Sequence, residues 1–197
     1  LAGLVTLIAI GRLTRRLAPD GPAWLPTLAA GLAAVSFRFT MQGTTGQLDM
    51  LLAAFTTWAF VLLIEGCGIA PEAPADSRRI ALAFALMGCG TLAKGPVALL
   101  LPLGGLLLGA RLARRPSPWR SVLLSGWGWL AFVLVVGAWI VPAAVHAVST
   151  GHQDWLTNIL FKQTAVRYAS SWHHLKPFWY FFTVPWYDFF PASLLLP

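Results

Sequence analysis

The chain has 197 residues, of which 57% are apolar and 11% charged, and its mean hydropathy is +0.70. A soluble domain is about a quarter charged, and disordered segments are polar and poor in aromatics. With 10 Trp, 12 Phe and 3 Tyr, the composition excludes both classes and points to a membrane protein.

Apolar blocks follow one another at residues 1–11, 23–37, 48–64, 80–93, 97–110, 121–145 and 177–196. As helices, with tilt and interfacial ends, most of them are long enough to cross a bilayer. The predicted fold is therefore all-α: a polytopic transmembrane helical bundle of about seven apolar segments. The fourth and fifth blocks are short and joined only by Lys94-Gly95-Pro96, so their length also fits a re-entrant hairpin. Gly95 permits the sharp turn, and Pro96 suits the first position of the helix that follows. Residues 66–79 are rich in Pro, Ala and Gly and read as a flexible connection. Cys67 falls in a polar loop and Cys89 inside an apolar block, so no disulfide is expected between them.

The net charge is +7. Arg12, Arg15, Arg16, Arg78, Arg79, Arg111, Arg114, Arg115 and Arg120 occupy alternate loops, with Arg38, Lys94, Lys162, Arg167 and Lys176 spread over the others. Basic residues concentrate in cytoplasmic loops, so the nine-residue set is expected inside. The segments around Asp49, around Lys94 and over 146–176 are then expected outside. Because the arginines sit between apolar blocks rather than along one face, no nucleic-acid partner is expected. Within the outer segment, residues 154–168 place Trp155, Ile159 and Val166 near one helical face, interrupted by Lys162, Gln163 and Arg167. That pattern predicts an outer-face interfacial helix with cations beside lipid phosphates.

Few charged residues outside are left as candidates for chemistry. Asp49 follows the polar loop 40–47 and opens the third block. It is either a helix-end acid at a favourable N-terminus or a carboxylate that orients or deprotonates an acceptor. Lys94, at the hairpin tip, is either a snorkelling anchor or a fixed cation for a lipid-borne phosphate. Arg167, His173, His174 and Lys176 precede an aromatic run, as an interfacial belt or as a basic site. Asp188 lies mid-block, where an acid marks function or a partner, and the flanking Pro185 and Pro191 are expected to break the helix and bring the acid nearer water. Glu65, at a cytoplasmic helix end, reads as structural. No phosphate-binding Gly loop, dinucleotide fingerprint, GxSxG or HExxH is present, so no nucleotide cofactor is expected.

Three features resemble a known family. They are the small-polar loop running into Leu48-Asp49-Met50, the Lys94-Gly95-Pro96 hairpin with Pro102 downstream, and a long closing stretch. That stretch runs from Asp154-Trp155 through Arg167-Tyr168 and His174 to Pro177-Phe178-Trp179-Tyr180, Phe190-Pro191 and Leu194-Leu195-Leu196-Pro197. Together they resemble the GT-C membrane glycosyltransferases, in the protein mannosyltransferase and aminoarabinose (lipid A) transferase branch. The resemblance spans the chain from about Arg38 onward.

The resemblance implies an integral enzyme of the bacterial inner membrane. It would take a sugar from a polyprenyl-phosphate donor and transfer it, with inversion, on the periplasmic face. The acceptor would be lipid A or lipopolysaccharide in one branch and a protein hydroxyl in the other, with membrane lipids as surroundings. Asp49 would be an active-site carboxylate, while Lys94, Arg167 and His174 would contact substrate phosphate. His174 would also be the ligand of a divalent metal ion. Where the family carries acidic residues ahead of the Arg-aromatic pair, this chain has Lys162 and Gln163. The resemblance also places a principal catalytic acid ahead of Leu1. Residues 1–197 are thus expected to form a single transmembrane glycosyltransferase domain truncated at both ends, inactive by itself. Two other readings stand beside it: a transporter or flippase of a lipid-linked sugar, and a non-catalytic membrane scaffold. No internal repeat of the kind that transporters carry is evident.

Overall fold

The computed structural model describes residues 1–69, 75–114, 118–152, 154, 157, 158, 177 and 179–195. Among these the structure is all-helical. The elements are α1 (Ala2–Leu17), α2 (Leu25–Val35), α3 (Phe37–Thr44), α4 (Leu48–Gly66), α5 (Ser77–Lys94), α6 (Val97–Leu112), α7 (Trp119–Leu123), α8 (Gly126–Ser149) and α9 (Tyr180–Asp188). A short 3-10 turn, Ala192–Leu195, follows α9.

The apolar blocks fall on these helices, but not one to one. The block 23–37 divides at Ser36 between α2 and α3. Within 177–196 only the nine-residue α9 and the 3-10 turn are helical among the described residues. The segment 40–47, expected as a polar loop, is helical through Thr44. Its hydroxyls satisfy local carbonyls: Thr44 and Thr45 donate to the carbonyls of Thr40 and Met41 at 2.9 and 2.8 Å. Composition alone assigns this polar stretch to a loop, because side chains that bond nearby backbone groups are commonest in turns and caps. The block 121–145 divides at Ser125, whose hydroxyl accepts from the Gly128 amide and caps α8. The helix from Ser77 starts ahead of its apolar residues because Asp76 caps it, accepting from the Arg78 amide at 2.9 Å. At the hairpin tip Gly95 has φ +85°, a conformation that favours glycine, and Pro96 leads into α6 as expected. Burial pushes the Cys67 thiol up to about 11, so it stays protonated at neutral pH.

Among the described residues, two helices are long and apolar enough to cross a membrane: α4, with 19 residues, and α8, with 24. The helices α2 and α6 are apolar but shorter. The two long ones differ in surroundings. Half of the apolar window of α4 is buried, against 6% of that of α8. On α8 the side chains of Leu130, Val133, Leu134, Trp139, Val141 and Val145 are all exposed.

The core lies between α4 and α5. Ala59, Leu62, Leu63 and Ile64 face Ile80, Ala83, Phe84 and Met87, with Leu106 of α6 and Val122 of α7 closing the cluster. Trp129 of α8 packs edge-on against Phe84, with ring centroids 4.8 Å apart. Glycines let α5 approach its neighbours closely, as in membrane helix pairs. A Cβ on Gly90 would lie 2.7 Å from the Ala98 Cβ of α6. Gly90→Val is accordingly expected to destabilise the α5–α6 hairpin by about 1–3 kcal/mol by overpacking. Thermal melting in detergent checks this against Gly104→Val, where a Cβ meets nothing within 4 Å.

The helices α1 and α4 run in the same direction. The Trp58 indole donates to the Val5 carbonyl at 2.9 Å, and further along Arg12 meets Glu65. Asp49 and Glu65 therefore mark opposite ends of α4, about 24 Å apart at 1.5 Å per residue. Charge separates accordingly: Arg12, Arg16 and Arg79 gather at the Glu65 end, Arg38 and Lys94 at the Asp49 end. The outer helix expected over 154–168 lies outside the described residues, except for isolated positions.

Candidate functional site

The Asp49 end holds two ion pairs and a cavity. Asp49 occupies the first turn of α4, which starts after Gly46 at φ +64° and an extended Gln47. Lys94 is the last residue of α5, delivered by the Gly95 turn. The Lys94 ammonium pairs with the Asp49 carboxylate, and both side chains stay partly exposed, at 42% and 36%. Two residues singled out separately in the sequence, 45 positions apart, thus form one unit.

The second pair joins Arg38 of α3 to Asp188 at the end of α9. The Arg38 Nε and Nη2 atoms reach Asp188 Oδ2 at 3.0 and 2.9 Å. Nearby, the Phe37 amide donates to the Phe190 carbonyl at 3.2 Å. The acid in the closing apolar block therefore has an ionic partner, and Asp188 is 13% exposed beside it. Pro185 stays inside α9, and the helix ends only after Asp188. Arg38→Ala is expected to loosen this closing segment, read as faster protease cleavage around 179–195. The exchanged pair Arg38→Asp with Asp188→Arg restores resistance if the ion pair is what holds it.

Between these pairs lies a cavity of about 380 Å3. Its apolar walls include Ile10, Phe39, Met50 and Phe189, and its polar groups are Ser36, Arg38, Gln42 and Asp49. Apolar walls with a few convergent polar groups are the usual make-up of a small-molecule site. The Ser36 hydroxyl is committed to the Ala33 carbonyl at 2.8 Å. The Gln42 Oε1 atom is buried and has no hydrogen-bond partner.

Sequence reasoning counted Arg38 only as one of the scattered outer cations and passed over Gln42. Both sit on α3 four residues apart, on one helical face, a relation that a loop over 40–47 does not provide. Arg167 and His174, the other expected substrate contacts, lie outside the described residues, as do His173 and Lys176. The metal expectation at His174 falls there too. Among the described residues no three His, Cys, Asp or Glu side chains converge, and the Asp49 carboxylate is met by an ammonium.

At the opposite end Glu65 is fully buried and accepts from three arginines. Arg12 binds it through Nε and Nη2 at 2.9 and 2.7 Å, Arg16 through Nε at 2.7 Å, and Arg79 at 3.3 Å. The Arg12 guanidinium also lies 5.6 Å from the Trp58 ring. This cluster clamps α1 and α5 to α4, in keeping with the structural role read for Glu65.

Comparison of the chain with known protein families, curated proteins and solved structures gives no match.

Proposed function

We propose that the chain belongs to a multi-pass glycosyltransferase of the bacterial inner membrane, acting on a polyprenyl-phosphate-linked sugar at the periplasmic face. The observation that carries this reading is the Asp49–Lys94 pair beside a mostly apolar cavity. Embedding in a bilayer is supported by α8, whose apolar side chains are too many and too exposed for a water-facing surface. The separation of Arg12, Arg16 and Arg79 from Arg38 and Lys94 supports the cytoplasmic and outer assignments.

In the proposed reaction an acceptor oxygen bonds to the anomeric carbon while the bond from that carbon to the phosphate oxygen breaks. The electron pair leaves on polyprenyl phosphate. Lys94 stabilises that growing negative charge. As the ammonium turns to the phosphate, the Asp49 carboxylate is released to orient the acceptor, taking its proton where the acceptor is a hydroxyl. Arg167 and His174 would add phosphate contacts, and a divalent ion held by His174 would polarise the same oxygens. The acceptor is lipid A or lipopolysaccharide, or a protein.

The test is mass spectrometry of lipid A and of envelope proteins from cells carrying the native protein or its Lys94→Ala variant. Loss of one glycosylated product, with protein level unchanged, supports the proposal. Movement of a lipid-linked sugar across vesicles without any new glycosidic bond replaces it with the flippase reading. Identical products and identical transport leave the scaffold reading.

A further inference from the structure

Gln42 stands out in the cavity because it departs from the rule that buried polar atoms are bonded. Its Oε1 atom is buried without a partner, while the neighbouring Ser36 hydroxyl and Arg38 guanidinium are engaged. A buried carbonyl oxygen left this way is costly, so its presence beside a cavity calls for an explanation. What it lacks is a hydrogen-bond donor.

The surroundings define the donor. Arg38 is neutralised by Asp188 and Asp49 by Lys94, so neither sign of charge is in excess around the cavity. A cationic donor gains nothing there and would face Arg38. A neutral hydroxyl fits. Phe39 and Phe189 line the cavity with apolar surface for the C–H side of a ring, and Asp49 can accept from a second hydroxyl. The volume of about 380 Å3 is near the lower end of small-molecule sites, roughly 300–1,000 Å3.

We infer that Gln42 is a specificity residue that reads a hydroxyl of the neutral sugar ring carried by the lipid donor. This inference rests on the glycosyl-transfer reading and deepens it. Lys94 then holds the phosphate common to all carriers, and Gln42 distinguishes a carrier that bears a sugar from one that does not. One neutral hydrogen bond to a buried acceptor corresponds to roughly tenfold in affinity.

The experiment measures binding of polyprenyl phosphate, and of the same lipid bearing a pentose or a hexose, to the native protein in nanodiscs. The native protein is expected to prefer a sugar-bearing lipid by about tenfold or more, and Gln42→Leu to erase most of that preference. Lys94→Ala should weaken all the lipids alike. A preference that survives intact in Gln42→Leu overturns the inference, as does a native protein that binds all the lipids equally. If none of the lipids binds the native protein, the glycosyl-transfer reading itself falls. The ligand-free Gln42→Leu protein should melt at the native temperature or above it, because an unpaired polar atom has been removed. A Tm lowered by several degrees identifies Gln42 as a structural residue and overturns the inference.

Discussion

Lys94→Ala is expected to lower glycosyl transfer by roughly 100- to 1,000-fold, the range found when one preorganised donor to a developing anion is removed. The fall should appear in kcat, since charge on the departing phosphate grows toward the transition state. Asp49→Asn keeps the shape and removes the charge, with an expected loss of about 100-fold if it serves as base or orienting group. A structural account of the pair makes a different forecast. The ion pair is more than one-third exposed on both sides, and such pairs add little stability, so folding should barely change in either variant. The exchange Asp49→Lys with Lys94→Asp separates the accounts. It rebuilds the pair but puts the cation on the wrong helix, so transfer should stay lost while melting is normal. Recovered transfer would leave the pair a mere strut.

The second large effect lies at the other end of α4. Glu65→Ala is expected to destabilise the protein by about 1–3 kcal/mol, because a buried acceptor of charged hydrogen bonds is lost while the three arginines left behind stay partly exposed. Three guanidinium groups, from Arg12, Arg16 and Arg79, would then crowd around an empty buried position. Glu65→Gln retains some hydrogen bonding without the charge and should fall in between. Yield of monodisperse protein and melting temperature in detergent measure both. A native-like melting temperature for Glu65→Ala would mean that the arginines simply turn to solvent or lipid headgroups, and that the clamp has little energetic weight.

Much of the fold can be read in the order of the residues. Apolar blocks become helices because each covers its own backbone bonds and presents an apolar surface, a local property. The α5–α6 hairpin is as local: Gly95 supplies the positive φ and Pro96 the helix start. The ends are less legible. The segment 40–44 is helical although its polar run reads as a loop, and the start of α5 depends on one cap at Asp76.

The site divides the same way. Asp49, Lys94 and Asp188 could be picked out one by one, because a charge is costly in an apolar block and so few charges are present. Their partners could not. Asp188 finds Arg38 across 150 residues and Asp49 finds Lys94 across a whole helical hairpin, and neither spacing carries a local signal. Gln42 is the extreme case. An exposed-looking amide in a polar run becomes a buried, unpartnered oxygen only when α1, α2, α4 and the end of α9 close around it. The helical class, the hairpin turn and the scarcity of charged residues are legible in the residue order, since these depend on composition and near neighbours. Which charges neutralise one another, and which polar atom is left without a partner, emerges from the packing, because pairing and burial depend on where distant helices meet.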